Sequence, residues 1–136
     1  NLENKHKPYG LGRIGDLEEE ISFYDFADKV KGLLGLSNIR VIGDFNKKVK
    51  KVALCTGSGF EFFSDAVSQK ADCYITADIK FHDAQRILET NVCVIDATHY
   101  ASENIFAKRL KEVLLDKFPD TDIVVSEVDG QTFKVV

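Results

Sequence analysis

The sequence predicts an α/β domain, with a mostly parallel β-sheet, helices on its faces and an antiparallel C-terminal hairpin. From Val52 onward, short apolar runs alternate with amphipathic segments, the order that right-handed β–α–β crossovers produce. The run from Val92 to Ile95 has no alternating polar residue, as expected of a strand buried on both faces of a parallel sheet. The 136 residues and 44% hydrophobic content are those of a single α/β domain with a core of its own.

The N-terminal part is predicted to be extended. Residues 1–8 are mostly polar, and we expect a flexible tail there. The next stretch, YGLGRIGDL at 9–17, has glycine spacing like that of a dinucleotide-binding fingerprint, but no buried strand precedes it. We therefore expect an extended segment whose glycines allow close backbone approach, with Arg13 either contacting an anion or lying in a packed linker.

The first helix is predicted from its two ends. Ser22 and Asp25 have the spacing of a capping box, although Asp has a shorter reach than Glu. Gly35 supplies the stop, and a short strand is expected at 39–42. The side chains expected on the inner face of this helix are Phe26, Ala27, Val30, Leu33 and Leu34.

The rest of the chain predicts three strands, three helices and the hairpin. The strands are expected at 52–55, 73–76 and 92–95, and the helices at 60–70, from the 77–82 connection to about 89, and at 102–117. The hairpin is expected from segments 123–128 and 131–136, which flank Asp129-Gly130. The side chains expected to face the core from the three helices are Phe63, Ala66, Val67, Ala84, Ile87, Leu88, Phe106, Leu110, Val113 and Leu114.

The composition disfavours two classes of function, nucleic-acid binding and membrane association. The 22 acidic and 18 basic residues give a net charge of -4 with no long block of either sign, which disfavours a nucleic-acid groove. The basic patch KKVKK at 47–51 is interpreted as a solvated turn leading into a strand. The three cysteines form no CxxC pair, as is typical of reduced thiols in a cytosolic protein. No apolar run reaches the roughly 18 residues that a membrane helix needs, so we expect a cytoplasmic protein without a membrane partner.

A cluster of side chains that bind metals or move protons follows the Val92–Ile95 strand. His99 and Glu103 are four residues apart, so they share one helical face, or a loop histidine lies beside a first-turn glutamate. An imidazole nitrogen and a carboxylate oxygen at this spacing suit a Zn, Mn or Fe site. The alternative is an ordinary hydrogen bond near a helix start.

Three polar loops are expected on the same edge of the sheet. They follow successive parallel strands at 56–59, 76–82 and 96–99, and α/β sheets bind ligands at the carboxyl ends of their strands. The first loop, Thr56-Gly57-Ser58-Gly59, resembles an anion cradle in which backbone N–H groups bind phosphate or carboxylate. A tight turn between strand and helix is the alternative.

Three further residues of these loops are candidates for the surroundings of the site. Asp78 and His82 repeat the spacing of four, but Asp78 is also a suitable N-cap and His82 a suitable packing partner of Phe81. Asp96 is expected either to orient His99 or to cap the end of a strand.

Four motifs resemble, in order, those of the NGG-interacting-factor-three-like family, whose members are often labelled GTP cyclohydrolase type 2 homologues. They are YGLGRIGDL at 9–17, VALCTGSG at 52–59, YITADIKFH at 74–82 and DATHYASE at 96–103. The resemblance implies a dinuclear metal site in a cleft between two similar α/β lobes, and six subunits in a ring. His99 and Glu103 match the ligands of the second lobe, and Asp78 and His82 match a motif near the site.

The resemblance covers the second lobe alone. The paired-histidine motif of the first lobe has no counterpart, because the histidines are His6, His82 and His99. Ala77 and Thr98 stand where the family usually has glycine, which puts close backbone approach at those points in doubt. The chain has no methionine and starts at Asn1, so we expect a fragment, the separated carboxyl-terminal lobe of a longer two-lobed protein.

For full-length relatives the resemblance implies a metal-dependent, cyclohydrolase-like hydrolase with two divalent metals (Zn, Mn or Fe) per subunit. Two ligands cannot complete such a site, so this chain alone is expected to bind metal weakly and to catalyse no reaction. The implied partners are the first lobe, further copies of the protein and a small-molecule ligand. The alternative function is a non-catalytic phosphate- or nucleotide-binding module with a regulatory or assembly role.

Overall fold

The computed structural model describes residues 10–134, which form a five-stranded sheet with helices on both faces. The strands are β1 (Arg13–Ser22), β2 (Arg40–Ile42), β3 (Lys48–Leu54), β4 (Cys73–Thr76) and β5 (Cys93–Asp96). The helices are α1 (Phe23–Leu33), α2 (Phe63–Ser68), α3 (Phe81–Leu88) and α4 (His99–Lys117), and a short 3-10 turn, Phe60–Phe62, precedes α2. The predicted flexible tail at 1–8 lies outside the described residues.

The centre of the sheet is parallel, as predicted. The strand order is β1-β3-β4-β5-β2, with β3, β4 and β5 parallel and the two edge strands antiparallel to their neighbours. For β1 the sequence predicts no more than an extended segment, because its run Glu18-Glu19-Glu20 has low β-propensity. Pairing with β3 overrides that preference, and the register shift between Asp16 and Ile21 accommodates the acidic run.

Two local predictions of the N-terminal half are confirmed. The backbone at Gly12 has φ +70, and a Cβ there would lie 2.7 Å from the carbonyl oxygen of Leu54, which is the expected close backbone approach. The Oγ of Ser22 accepts a hydrogen bond from the N–H of Asp25 at 3.1 Å, so α1 has the predicted N-cap. The Asp25 carboxylate accepts from the Ser22 hydroxyl at 2.5 Å, a contact that its short side chain can reach.

The core has one layer on each face of the sheet. One layer packs α1 on the sheet through Phe23, Phe26 and Val30, together with Val49 and Ile95. The other places α2 and α3 against the opposite face, and its central residues are Phe63, Ala66, Tyr74, Ile87 and Val94. All three cysteines are buried and unpaired, as predicted.

Several side chains predicted to face the core are exposed instead. Leu33 and Leu88 each lie in the last turn of a helix, where the chain is already leaving the sheet. The largest difference concerns α4, which begins at His99, three residues before the predicted start. Its buried residues are Ala101 and Ser102, both in the first turn. The residues whose predicted burial is wrong are Leu33, Val67, Leu88, Phe106, Leu110 and Val113.

The predicted C-terminal hairpin is absent from residues 122–134, which form no strand. Local side chains take the backbone groups that cross-strand pairing would use. The N–H of Gln131 donates to Asp129 Oδ1 at 2.9 Å, and the N–H of Gly130 donates to the Tyr100 hydroxyl at 3.2 Å. The turn residues therefore form a local turn against α4, while Val124, Val128 and Phe133 stay exposed.

Candidate metal centre

Two loops at the carboxyl ends of β4 and β5 bring an aspartate, a histidine and a glutamate together. His99 is the first residue of α4, Glu103 lies one turn later, and Asp78 follows β4. The Nδ1 atom of His99 lies 2.6 Å from Asp78 Oδ2, and its Nε2 atom lies 3.3 Å from Glu103 Oε1. The imidazole thus lies between two carboxylates, and all three side chains are about half exposed.

The hydrogen bond to Asp78 decides which nitrogen is free. An ionised carboxylate only accepts, so Nδ1 must carry the proton that it donates to Asp78. In the neutral imidazole, Nε2 then presents a lone pair toward the Glu103 carboxylate, and two acceptors this close need a cation between them. Either a second proton on Nε2 or a metal ion meets that need.

The same arrangement determines the pKa of His99. Its pKa is raised from the ordinary value, chiefly by the hydrogen bond to Asp78, against the lowering effect of desolvation, and further by the charge of Glu103. In the metal-free chain, the two carboxylates therefore favour protonation of Nε2.

The donor set also fits a divalent metal. Nitrogen and oxygen ligands at about 2.1 Å from one ion, at angles of 90° to 109°, lie about 3.0–3.4 Å apart, and the Nε2 to Oε1 separation of 3.3 Å falls in that range. Metal-binding histidines usually donate their other N–H to a carboxylate, as His99 does to Asp78. Within residues 10–134, no group of three or more such side chains could hold a metal ion, so the described residues bring together two candidate ligands, His99 and Glu103.

The backbone beside the site is strained. Asp78 and Thr98 have φ values of +58 and +59, in a region that residues other than glycine rarely adopt. Thr98 is one of the two positions where the resembled family has glycine, and its Oγ1 is buried without a hydrogen-bond partner. Ala77, the other, is fully buried. Strained backbone of this kind is concentrated at functional sites. Here it occurs in the two loops whose side chains, Asp78 and His99, contact each other.

Asp96 connects the two loops, and its hydrogen bonds within residues 10–134 go to residues other than His99. Its carboxylate, in a residue only 2% exposed, accepts from the N–H groups of Ile79 and Thr98, each at 3.2 Å. The same carboxylate forms an ion pair with Arg40. Asp78, rather than Asp96, orients the imidazole, and Asp96 holds the loops from which Asp78 and His99 project.

The loop Thr56-Gly57-Ser58-Gly59 lies behind the ligand pair. The N–H of Gly57 donates to Ser102 Oγ at 3.0 Å, and the N–H of Gly59 donates to Thr76 Oγ1 at 2.9 Å. A Cβ at Gly57 would overlap Glu103 Oε1 and lie 3.2 Å from His99 Nε2. Both glycine N–H groups are therefore engaged within the protein, and the loop supports the ligands by close approach.

His82 is not brought to the ligand pair. Its Nδ1 atom lies 3.1 Å from Gln85 Oε1 on α3, and its ring makes an edge contact with Phe81. The groove beside His99 is formed by other residues. The helix spacing that places Asp78 and His82 four apart is interrupted, because α3 begins only at Phe81.

An open groove of about 1120 Å³ extends from the ligand pair. Asp78, His99 and Glu103 lie along it together with Arg40, Tyr100 and Phe106, and residues 130–133 also line it. Sequence reasoning did not identify Arg40 as a site residue. A signal was present, because Arg40 interrupts the apolar run at 39–42 and Asp96 directly follows the run at 92–95, as expected of an opposite-charge pair on neighbouring strands.

The chain resembles solved structures over almost its whole length. A crystal structure of a Staphylococcus aureus protein matches with a TM-score of 0.89 and 32% identity, covering 94% of this chain and 43% of that one. A Bacillus cereus protein described as related to NIF3 matches with a TM-score of 0.80 and 32% identity, covering 93% of this chain and 36% of that one. The mixed α/β fold is therefore shared with known proteins.

Curated relatives carry the name GTP cyclohydrolase 1 type 2 homolog. The protein of that name from Staphylococcus aureus (strain MSSA476) is 36% identical over 124 residues, which cover 91% of this chain and 33% of the relative. The one from Clostridium acetobutylicum is 34% identical over 134 residues, 94% of this chain and 50% of the relative. This chain thus spans between a third and a half of the length of these relatives.

The described residues contain no helix long and apolar enough to cross a membrane. The sequence model of the Duf34/NIF3 (NGG1p interacting factor 3) family matches residues 1–132. With four motifs in order, the shared fold and this match, the chain belongs to the Duf34/NIF3 family.

Proposed function

We propose that this chain is a metal-binding lobe of a dinuclear, hydrolase-like protein and supplies His99 and Glu103 as ligands. The observation that carries the proposal is the contact between His99 Nε2 and Glu103 Oε1, whose separation of 3.3 Å is that of two ligands of one metal ion. A divalent cation bound there would polarise a substrate oxygen or activate water.

The roles of the remaining residues follow from their contacts. Asp78 holds the imidazole in the tautomer that exposes Nε2. Asp96 fixes the loops on either side, and Gly57 allows its backbone to lie against the two ligand side chains. None of these residues needs to move for His99 and Glu103 to face one ion.

The rest of the ligand set is proposed to come from the first lobe of the same protein. Two ligands do not complete the coordination of even one zinc ion, and the relatives are two to three times longer than the part that matches this chain. We therefore propose weak metal binding and no turnover for this chain alone. A cytoplasmic location and a hexameric ring of full-length subunits belong to the same proposal.

Metal titration with matched histidine variants tests the ligand assignment. We expect Mn²⁺ binding, followed by electron paramagnetic resonance, to be weak in the chain and lost in His99→Ala. His82→Ala is the control, because it removes an exposed histidine whose hydrogen bond and ring contact, to Gln85 and Phe81, lie within its own helix. Equal Mn²⁺ affinity in His99→Ala and the unchanged chain would refute the ligand role. Tight stoichiometric Mn²⁺ binding would refute the proposal that this chain supplies only part of the ligand set.

The alternative, a phosphate- or nucleotide-binding module at Thr56-Gly57-Ser58-Gly59, is less well supported. Binding an anion through Gly57 and Gly59 would require their N–H groups to leave Ser102 and Thr76. A thermal-shift screen with nucleotides distinguishes the two functions, since stabilisation by nucleotide that survives in His99→Ala would favour the alternative.

A further inference from the structure

We propose that Arg40 recognises an anionic group, a phosphate or carboxylate, on the small molecule that binds in the groove beside His99. This inference deepens the function proposed above and rests on it. Arg40 is the first residue of β2 and lies opposite Asp96 in the β2–β5 register. Its side chain is 70% exposed and lies along the groove that also contains His99 and Glu103.

The guanidinium is anchored to both loops of the metal centre. Its Nη2 atom donates to the carboxylate of Asp96 and, at 3.3 Å, to the carbonyl oxygen of Ile79. Ile79 directly follows Asp78, and Asp96 lies three residues before His99. Arg40 is thus tied to the same backbone segments that position the proposed ligand and its partner.

That anchoring leaves part of the guanidinium for a ligand. Both bonds that Arg40 makes within residues 10–134 come from Nη2, so the N–H groups of Nε and Nη1 remain as donors. A guanidinium held by a buried carboxylate loses little freedom when it binds a further partner. Arginine is also the side chain whose planar donors best match phosphate and carboxylate oxygens.

Charge predicts how anion and metal depend on each other. Arg40 is the one lysine or arginine among the described residues that line the groove, whereas Asp78, Asp96 and Glu103 are carboxylates. An anion should therefore bind weakly to the metal-free chain. A divalent cation at His99 and Glu103 would neutralise the excess negative charge of the groove, so cation and anion should each raise the affinity of the other by the same factor.

The remaining groove residues indicate what the anionic group is attached to. Rings and amides lie along the same groove, so a molecule with an anionic end and a flat ring would find partners for both parts. The residues concerned are Asn38, Tyr100, Asn104, Phe106, Gln131 and Phe133. Phenyl phosphate and benzoate are therefore suitable probes, since they share the ring and differ in the anion.

The test measures how bound Mn²⁺ broadens the proton resonances of each probe. We expect protein-dependent broadening to saturate with phenyl phosphate, with benzoate or with both, and the better probe identifies the anion. Arg40→Gln should weaken probe binding about tenfold, the effect of removing a charge-assisted hydrogen bond. Arg109→Gln is the matched control, because Arg109 is an exposed arginine paired with Glu112 on α4. Equal probe affinity in the unchanged chain and in Arg40→Gln would overturn the inference.

A second measurement uses the unchanged chain, so it does not require that the Arg40→Gln variant folds. The Nε–H resonance of Arg40 in the unchanged chain should shift when phenyl phosphate or benzoate is added, while that of Arg109 should not. If neither probe moves the Arg40 resonance, the inference is wrong. If Mn²⁺ fails to bind the unchanged chain, the metal function fails, and the Arg40 resonance still tests anion binding in the metal-free state. If Mn²⁺ binds through His99 and no probe responds to Arg40, the anion inference alone fails.

Discussion

Asp78 and His99 lie 21 residues apart in the chain, yet Asp78 Oδ2 and His99 Nδ1 meet at 2.6 Å. This contact sets the orientation of the imidazole, its tautomer and its pKa. Because Glu103 lies one helical turn beyond His99, the contact also decides that the free nitrogen faces a carboxylate.

Asp78→Asn should lower the pKa of His99 and weaken metal binding. The amide removes the charge, and asparagine tolerates the positive φ of residue 78, so the backbone should be preserved. Loss of such a carboxylate partner weakens metal affinity by about 10- to 100-fold. Proton NMR titration of the His99 ring in the metal-free chain checks the pKa, and Asp83→Asn on α3 is the control. An unchanged His99 pKa would contradict the role of Asp78.

The stability of the metal-free chain and its metal affinity should respond oppositely to pH. The pKa of His99 is raised above 6.5 in the folded chain, chiefly by Asp78. Protonated His99 therefore contributes stability that is complete below the unfolded pKa and is lost as pH rises through the folded pKa. Metal competes with that proton, so Mn²⁺ affinity should rise over the same range. Titrations on both sides of the folded pKa test this, and equal affinities would refute it.

Thr98→Gly should stabilise the chain. Thr98 has φ +59 and ψ 146, close to a region adopted almost only by glycine, and such strain costs about 1–3 kcal/mol. Glycine loses about 0.5–1 kcal/mol through its unfolded-state freedom, and the change also removes a buried hydroxyl without a partner. We expect the free energy of unfolding to rise by about 1 kcal/mol in urea denaturation.

The control for Thr98→Gly is Thr90→Gly. The Thr90 hydroxyl donates to the carbonyl of Ile87 at 2.8 Å and accepts from the N–H of Val92, so its loss should destabilise the chain. If both variants lose stability, the relief of backbone strain at residue 98 is smaller than the cost of glycine's freedom in the unfolded chain.

Asp96→Ala should destabilise the chain by about 3 kcal/mol, because a buried carboxylate with charged and backbone donors would be removed. The N–H groups of Ile79 and Thr98 would lose their acceptor. Urea denaturation measures the loss. Asp120→Ala, in the exposed turn after α4, should change stability by less than about 0.5 kcal/mol. A similar effect of the two substitutions would show that Asp96 does not tie the loops together.

Gly57→Ala should weaken metal binding. The added Cβ would overlap Glu103 Oε1, and φ at residue 57 is +63, where a non-glycine residue costs about 1–2 kcal/mol. Mn²⁺ titration and urea denaturation should both show a loss. Gly32→Ala is the matched control, since Gly32 lies in α1 with nothing within 4 Å of its Cβ position and alanine favours a helix. A Gly57→Ala variant with unchanged Mn²⁺ affinity would show that Glu103 needs no such close approach.

The parallel centre of the fold could be predicted because β4 and β5 are buried runs whose sequences leave little alternative. The structure at the edges of the sheet and at the C-terminal end could not be predicted. Strand β1 is acidic and is held by pairing with β3, and residues 122–134 carry a strong hairpin signal but use their backbone groups locally. In both regions, the available partners decided the structure rather than local propensity.

The candidate site could be predicted only where, as in the centre of the sheet, the local sequence leaves little alternative. The proximity of His99 and Glu103 follows from helix spacing, which is local, so it could be predicted from the sequence. The partner of His99 depends on how two loops approach, and that approach rests on the positive φ of Asp78 and Thr98. Backbone conformations of this kind are not signalled by aspartate or threonine, so Asp78 and Asp96 could not be assigned separate roles beforehand.

The placement of both proposed ligands on a single turn of α4 has a consequence for robustness. Their mutual distance is set by the hydrogen bonds of one helix, whereas the tilt of the imidazole is set by a loop from a different strand. Displacement of that loop would leave two donors at the correct spacing with one ring free to rotate. The distance between the two side chains and the orientation of the imidazole can therefore be lost independently. A chain that still binds a cation can have lost the rigid geometry that a reaction at that cation requires.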